Sequence, residues 1–353
     1  MKIAVLTSGG VDSSVALALL AKEKKHKLTA FYLKIWLEDE LKYLGNCPWE
    51  EDLEYVKEIC EKFDVPLKIV PLQKEYWNKV VKYTVNEVKK GRTPNPDMMC
   101  NSQIKFGEFI KKYGKGFDRV ATGHYAQVMQ KSGKYYLKTT SDPIKDQTYF
   151  LAYLKQNQLK KVMFPIGDLD KGKVRKLAHK FNLPNKDRKD SQGICFLGKI
   201  RYGEFLRHHL GVKKGKLINY DTKEYLGEHD GFWYYTIGQR KGIKLSGGPY
   251  YVVKKDTKKN IIYVSNKYHD AEKKRNEFIV NDFNWFDGKF PKETNLSVKL
   301  RHGPKIYKCT LKKKNKDSAV VKIKGNDQGI AAGQFAVFYK GKICLGCGIM
   351  GND

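Results

Sequence analysis

Residues 2–21 read KIAVLTSGGVDSSVALALLA. The apolar run Ile3, Ala4, Val5 and Leu6 has the character of a buried strand, and Val15 to Ala21 that of a helix. Between them stands LTSGGVDSS, Leu6 to Ser14. A strand that feeds a Ser/Gly turn opening a helix turns unpaired backbone N–H groups and the positive helix end toward an anion, and Gly9 and Gly10 let that anion come close. The stretch has neither the Lys-Ser/Thr ending of a Walker loop nor the three glycines of a dinucleotide fingerprint. An ordinary helix capped by Ser8 or Asp12 is the alternative. A motif on the first strand of the chain, followed by alternating strand and helix patterns, favours a nucleotide phosphate.

Working outward, that alternation continues with a strand at Leu28 to Ile35, a helix from Glu51, a strand at Leu67 to Leu72 and a helix from Glu75. A helix from Gln103 to Tyr113 and a strand from Arg119 to Thr122 follow, so a doubly wound parallel sheet is expected in an α/β domain over residues 1–200. Ligands of such sheets gather at the carboxyl ends of strands, near Ser8, Leu33 and Gly123. Beyond about Lys199 the pattern changes to short strands with Gly, Asn and Asp turns, among them Gly231 to Gly238, Tyr250 to Lys254 and Ile261 to Ser265. This portion, 201–270, is read as a small β-rich central domain. Runs at Leu296 to Leu300, Tyr307 to Leu311, Ala319 to Ile323 and Ala336 to Tyr339 predict a C-terminal β-barrel over 271–353.

The 353 residues carry 68 Lys plus Arg against 38 Asp plus Glu, a net charge of +30. Such an excess favours a polyanionic partner through phosphate contacts and counterion release, although only nine of the 68 are Arg and a lysine-favouring codon bias is an alternative explanation for much of it. No run approaches the roughly 18 apolar residues of a membrane span, and the N-terminus enters a strand directly, so a cytoplasmic protein is expected. The seven cysteines, 47, 60, 100, 195, 309, 344 and 347, read as free thiols and not as a disulfide framework. Cys60 and Cys309 fall in patterned elements where a small buried hydrophobe suffices, and Cys344 with Cys347 lacks the second pair of a zinc site. No metal-ligand set is expected, and Cys47 has no assignment.

Cys100 and Cys195 stand apart. Gly91 to Asn101 reads GRTPNPDMMCN, where two prolines stiffen a loop that sets Asp97 three residues before Cys100. A carboxylate there is placed to move protons to and from a thiol whose ordinary pKa is about 8.5; the alternative has Asp97 capping a helix and Cys100 merely buried. Asp187 to Gly198 reads DRKDSQGICFLG, with Arg188 and Lys189 positioned to favour a Cys195 thiolate. Two such loops beside a nucleotide fold suggest a pair that hands on sulfur or forms a transient disulfide, against two unrelated loop cysteines.

SGGVDSS resembles the loop of the ATP pyrophosphatases, which break ATP between the alpha and beta phosphates. In order, SGGVDSS, GRTPNPDMMCN, ATGHYA, KDQTYFL, DSQGICFLG, YTIGQRKG and AAGQFAVFY resemble the tRNA-specific 2-thiouridylase family over nearly the whole chain. The resemblance implies ATP on Leu6, Thr7, Ser8, Gly9, Gly10, Val11, Asp12, Ser13, Leu33 and Gly123, with Mg²⁺ bridging its phosphates and Asp12 as an indirect ligand. It implies adenylation of the wobble-uridine O2, a persulfide on Cys195, Cys100 as the nucleophile that frees sulfur or ends in a disulfide with Cys195, and Asp97 as general acid/base. Asn95, Pro96 and Asp97 would touch the target base. Lys145, Asp146, Gln147, His124, Arg301, His302 and Gln334 would contact tRNA. The implied partners are lysine, glutamate and glutamine tRNAs and a cysteine desulfurase or sulfur-relay protein, with a monomeric enzyme.

Leu33 stands where many relatives have Met, and Cys347 where a small residue is usual. Two other functions use parts of this pattern. A small-molecule adenylating enzyme shares the ATP loop and needs no cysteine pair, while a non-catalytic RNA-binding module predicts binding without pyrophosphate release.

Overall fold

A computed structural model describes residues 1–35, 49–189, 202–267 and 275–351. The first sheet holds β1 (Lys2–Thr7), β2 (Lys27–Lys34), β3 (Leu67–Pro71), β4 (Arg119–Ala121) and, after two strands that lie elsewhere, β7 (Val162–Met163), all parallel in the order β3-β2-β1-β4-β7. Alternation along β1 covers both faces. Ile3 and Val5 pack with Leu17, Leu20, Val56 and Ile59, whereas Ala4 and Leu6 join Phe31, Tyr76, Val80 and Phe109 on the opposite side. Helix α1 (Val11–Lys22) and the helix Trp49–Lys62 therefore lie on one side of the sheet and the helical runs 73–89 and 96–113 on the other. Such two-sided burial is what a parallel sheet requires.

The alternation expected up to about residue 190 is interrupted by an antiparallel hairpin, β5 (Gln127–Lys131) and β6 (Lys134–Lys138). Its turn is Ser132-Gly133, with φ of +49° and +73°, the two positive values that a tight hairpin needs. This hairpin leaves the first sheet and pairs Leu137 with Cys344 of the C-terminal strand. The helix expected from Gln103 begins earlier, at Pro96, and runs as a π-helix from Cys100 to Glu108.

The central sheet joins β8 (Gly215–Asn219), β9 (Tyr225–His229), β10 (Tyr251–Asp256) and β11 (Ile261–Ser265) in the order β10-β11-β8-β9. Gly231 to Gly238, expected as a strand, instead contains a 3₁₀ turn at Phe232–Tyr234. Phe232 is buried against Leu217, Ile243, Val252 and Ile262, so packing of one large ring overrides extended propensity there.

The last segment forms a closed six-stranded antiparallel barrel. Its strands are β12 (Glu277–Trp285), β13 (Asn295–Lys299), β14 (Tyr307–Lys313), β15 (Ser318–Ile323), β16 (Phe335–Lys340) and β17 (Ile343–Met350), and β12 pairs with β17 to close the ring. Interior residues Val280, Val298, Leu311, Val321 and Phe338 alternate with outward ones as the pleat demands. The barrel is fastened to the first domain by more than the hairpin. Lys299 Nζ meets Asp146 Oδ2 at 2.8 Å with both side chains buried, and Cys347 Sγ donates to the Ala152 carbonyl.

Candidate functional site

The chain turns sharply after β1. Gly9 has φ +72°, and a Cβ there would lie 2.6 Å from the Asp52 carbonyl oxygen, so only glycine fits. Gly10 is the N-cap of α1 and provides no side-chain cap, which leaves first-turn N–H groups directed outward. Serines hold the turn from within: Ser8 N–H donates to Ser13 Oγ (3.2 Å), and the Ser13 and Ser14 hydroxyls donate to the Gly10 carbonyl (2.9 and 3.0 Å). Neither Ser8 nor Asp12 caps the helix, so the ordinary-cap reading does not describe this turn. Open amides at a helix N-terminus and a strained glycine turn fit a nucleotide phosphate.

Neighbouring strands complete the edge. Thr7 pairs with Tyr32, so Leu33 stands beside Ser8 at the carboxyl end of the sheet. Gly123 lies so close to α1 that a Cβ would sit 2.6 Å from Ser13 N and from the Asp12 carbonyl carbon. Leu6 to Ser13, Leu33 and Gly123 thus converge. Four further residues hold this turn, of which Tyr125 and Arg188 lie in the quoted ATGHYA and DRKDSQGICFLG stretches while Lys171 and Asn185 lie in no quoted motif. Asn185 and Arg188 donate to the Gly9 carbonyl (2.7 and 3.2 Å), and Tyr125 Oη and Lys171 Nζ both reach Asp12 Oδ1 at 2.7 Å. Lys171 and Asn185 come from a helix and a turn 159 and 176 residues from their partners, and nothing in the local pattern announces them. Among the described residues no cluster of three or more His, Cys, Asp or Glu side chains could hold a metal ion.

The second half of the site is built on the 91–100 loop. Asn95 caps the helix that begins at Pro96, its Oδ1 accepting from Met98 N–H (3.1 Å), so the cap is Asn95 and not Asp97. Asp97 is left half-buried on the first turn, and Cys100 follows one turn later with 1% exposure. The π-helical turns that start at Cys100 are rare and frequently mark functional sites. Asn101 donates to the Phe150 carbonyl (3.2 Å), while its buried Oδ1 has no hydrogen-bond partner among the described residues. Cys195 and Cys47 lie outside the described residues.

The barrel reaches this loop. Gln334 Nε2 donates to the Pro94 and Thr93 carbonyls (3.1 and 3.3 Å), Thr93 N–H donates to the Ala332 carbonyl, and a Cβ on Gly333 would press on Thr93. His302 lies 4.6 Å from the Phe150 ring. Burial and the Lys299 charge hold its pKa below the ordinary value, opposed by the carboxylates Asp146 and Asp97. Arg301 grips Asp327 at 2.5 Å. Asn95, Asp97, Cys100, His302 and Gln334, drawn from opposite ends of the chain, are therefore brought to one place.

Other positions face inward. Asp146 is 1% exposed, paired with Lys299 and hydrogen-bonded by the Thr148 hydroxyl at 2.9 and 3.0 Å. Gln147 is fixed to the Tyr125 backbone through both its side chain and its N–H, with Lys145 half-buried beside it. His124 bonds Thr122 (2.7 Å) between Phe106 and Phe164, and burial with the nearby Lys105 charge pushes its pKa well below 6.5.

Comparison with known proteins adds three matches to family models. These are the tRNA methyl transferase HUP domain over residues 1–199, the tRNA methyl transferase PRC-barrel domain over 203–266 and the aminomethyltransferase beta-barrel domain over 275–350. The tRNA-specific 2-thiouridylase MnmA of Parabacteroides distasonis is 47% identical over 359 residues, covering 99% of each chain. MnmA 1 of Bacteroides thetaiotaomicron is 47% identical over 356 residues with the same coverage. Among solved structures, NMN synthetase from Francisella tularensis is similar with a TM-score of 0.35 and 18% identity, over 60% of this chain and 76% of that one, a likeness too slight to carry an argument. With near-complete coverage at such identity, and with a HUP sheet, a central sheet and a closed barrel in the matching order, the chain belongs to the tRNA-specific 2-thiouridylase family.

Proposed function

We propose that this enzyme, a tRNA sulfurtransferase, uses ATP to replace the O2 oxygen of the wobble uridine of tRNA with sulfur. The observation that carries the proposal is the convergence of Asp97 and Cys100 with His302 and Gln334 of the barrel, in a fold that also presents an open-amide phosphate cradle. Family membership at 47% identity supports the substrate class and the reaction class.

In this reading the phosphates lie on Leu6 to Ser13, with the adenosine beside Leu33 and Gly123. The uracil O2 attacks the alpha phosphorus, the bond to the bridging oxygen breaks, and pyrophosphate leaves. A C2 carbonyl that water leaves untouched becomes an ester whose leaving group is AMP. First-turn amides of α1 stabilise charge on the departing phosphates, and Lys171 adds a cation beside Asp12. Mg²⁺ would supply further neutralisation of the ATP phosphates, with Asp12 as the residue that would hold it indirectly.

Sulfur then enters from a persulfide on Cys195. The Cys100 thiolate attacks the Cys195 Sγ, a Cys100–Cys195 disulfide forms, and the terminal sulfur leaves as hydrosulfide that displaces AMP from C2. Asp97 takes the Cys100 proton. The disulfide is reduced by two external thiols, or one dithiol, through a mixed disulfide before the next turnover. The persulfide itself comes from a cysteine desulfurase or sulfur-relay protein.

Asn95 and Pro96 would meet the target base, and Arg301, His302, Gln334 and Lys145 the surrounding RNA. For His124, Asp146 and Gln147 the inward contacts favour a role in shaping the RNA-facing loops. Lysine, glutamate and glutamine tRNAs are the proposed substrates, with residues 1–200 as the catalytic unit, 201–270 and 271–353 completing the RNA surface, and a monomer in the cytoplasm as the working form. Among the described residues no helix is long and apolar enough to cross a membrane.

The test is mass spectrometry of nucleosides after incubation of the protein with unmodified lysine tRNA, Mg²⁺-ATP and a cysteine desulfurase with its cysteine substrate as persulfide donor, beside Cys100→Ala and Cys195→Ser. Loss of 2-thiouridine in both variants is expected. AMP formation with no sulfur in the RNA would point to a different acceptor and restore the small-molecule reading.

A further inference from the structure

A buried polar atom without a partner is rare in a folded chain, and each one asks what is to meet it. One stands directly after Cys100. Asn101 is 4% exposed, its Nδ2 donates to the Phe150 carbonyl (3.2 Å), and its Oδ1 is shut from solvent with no hydrogen-bond partner among the described residues. Because Nδ2 is the atom held on the Phe150 carbonyl, the end left over is the acceptor. The helix that begins at Pro96 sets where that oxygen stands: Asp97, Cys100 and Asn101 are spaced i, i+3 and i+4, neighbours on one helical face. Phe150 in turn stacks its ring on His302 at 4.6 Å and, with Asn95, Asp97 and Trp233, lines an opening of about 220 Å³ beside the 91–97 loop. Asn101 is thus tied to both sides of the ground proposed above for the target base. Cys100 is covered to a like degree, at 1% exposure, so a base that comes up to this thiol comes up to the neighbouring amide as well.

A uracil joined to ribose through N1 has a single N–H donor, N3–H, and that group adjoins the C2 at which oxygen gives way to sulfur. Bases splayed out of an RNA loop are read by hydrogen bonds along this edge. We propose that Asn101 Oδ1 accepts the hydrogen bond of N3–H of the target uridine, which makes Asn101 a specificity-determining residue for the reaction. Met by N3–H, the amide has both its ends satisfied. Faced by cytosine, whose N3 is itself an acceptor, it stays unmet, and a site built to pair a substrate N–H rejects the analogue that lacks it. The inference rests on the tRNA reading above and deepens it by naming the side chain that selects the base.

The experiment measures binding of full-length protein to the lysine tRNA anticodon stem-loop carrying uridine or 3-methyluridine at the wobble position. 3-Methyluridine keeps O2 and O4 and replaces only the hydrogen on N3. Wild type is compared with Asn101→Ala and with Asn101→Ser, whose oxygen falls one bond short of the amide oxygen. The serine hydroxyl can still donate toward the Phe150 carbonyl, so this variant keeps the question answerable if Asn101→Ala fails to fold. Wild type is expected to prefer uridine by about 5- to 150-fold, the range for leaving one buried hydrogen-bonding group unmet. In both variants uridine binding weakens and the preference falls to within about twofold, the additivity error of such a cycle, because the methyl group gains the space the amide leaves. Variants that weaken both RNAs equally and keep the preference have lost only the hold on Phe150, and that result overturns the proposal. A wild type that binds the two RNAs alike overturns it as well. Thiolation of the uridine loop by wild type, supplied with Mg²⁺-ATP, a cysteine desulfurase and cysteine, separates this contact from the reading beneath it. Thiolation with a preference that does not depend on Asn101 removes the contact alone, and an Asn101-dependent preference without thiolation removes the chemistry alone.

Discussion

Gly9 offers the sharpest perturbation of the phosphate cradle. Its φ of +72° lies in the left-handed region, where an L side chain costs roughly 1–2 kcal/mol. An alanine Cβ would also sit 2.6 Å from the Asp52 carbonyl oxygen and 2.8 Å from Asp52 Cα, both backbone atoms that cannot rotate away. Gly9→Ala must therefore move either the turn or the start of the helix Trp49–Lys62, disturbing the carbonyl that Asn185 and Arg188 hold. The dihedral contribution alone lowers Tm by about 2–8 °C at 2–4 °C per kcal/mol, and the collision adds to it. Gly10 is the control, since its φ is −80° and the nearest atom to its added Cβ would be the Ser8 hydroxyl at 3.5 Å. Thermal unfolding followed by calorimetry should show Gly10→Ala close to wild type. In an ATP-to-AMP assay the KM for ATP should rise in both variants under the proposed placement of the phosphates, through displacement of the turn in Gly9→Ala and through a Cβ in the open space before the first-turn amides in Gly10→Ala. A Gly9→Ala protein as stable as wild type would refute the strain argument, and an unchanged KM in both would refute the placement of the phosphates.

Three further outcomes follow from the same geometry. Lys299→Met leaves the Asp146 carboxylate buried without its cation and should destabilise the domain junction by about 3–5 kcal/mol, whereas Lys299→Met with Asp146→Leu should recover most of that loss in denaturant titrations. His124 has its pKa pushed well below 6.5, so the unfolded chain binds the proton that the folded chain refuses; stability is then fully present above about 6.5 and falls as the pH drops below it. His124→Asn should flatten that part of a Tm-versus-pH curve. Burial pushes the Cys60 and Cys309 thiols up to about 11, so native-state alkylation near pH 8, read by peptide mass mapping, should spare both until the chain unfolds.

Much of the architecture is legible in local patterns because the forces are local. Period-two burial along Ile3 to Leu6 and along the barrel strands reports which face meets the core, and the SGG turn reports a backbone that side chains would obstruct. The hairpin 127–138 is hidden for the opposite reason. Its Ser-Gly turn is a signal, but pairing of Leu137 with Cys344 is fixed by contacts more than two hundred residues apart. Asp146 illustrates the same limit, since a motif names the carboxylate while its partner, Lys299, lies in the barrel. Of the proposed phosphate cradle, the turn was readable, whereas the contacts of Tyr125 and Lys171 with Asp12 and of Asn185 and Arg188 with the Gly9 carbonyl were not, because each forms through tertiary packing. Trp233 and Tyr235 gave no sign of a shared cavity with Pro94 and Phe150 until the central sheet was placed against the loop.

The central claim is that the uracil O2 becomes a phosphate ester before sulfur arrives. It is tested most directly with tRNA carrying ¹⁸O at O2 of the wobble uridine, incubated with the enzyme, Mg²⁺-ATP and a sulfur source, and followed by mass spectrometry of the AMP released. The account predicts AMP that carries one ¹⁸O for each 2-thiouridine formed. Unlabelled AMP alongside thiolated RNA would contradict it, because the oxygen would then have left by a route that never joined it to phosphorus.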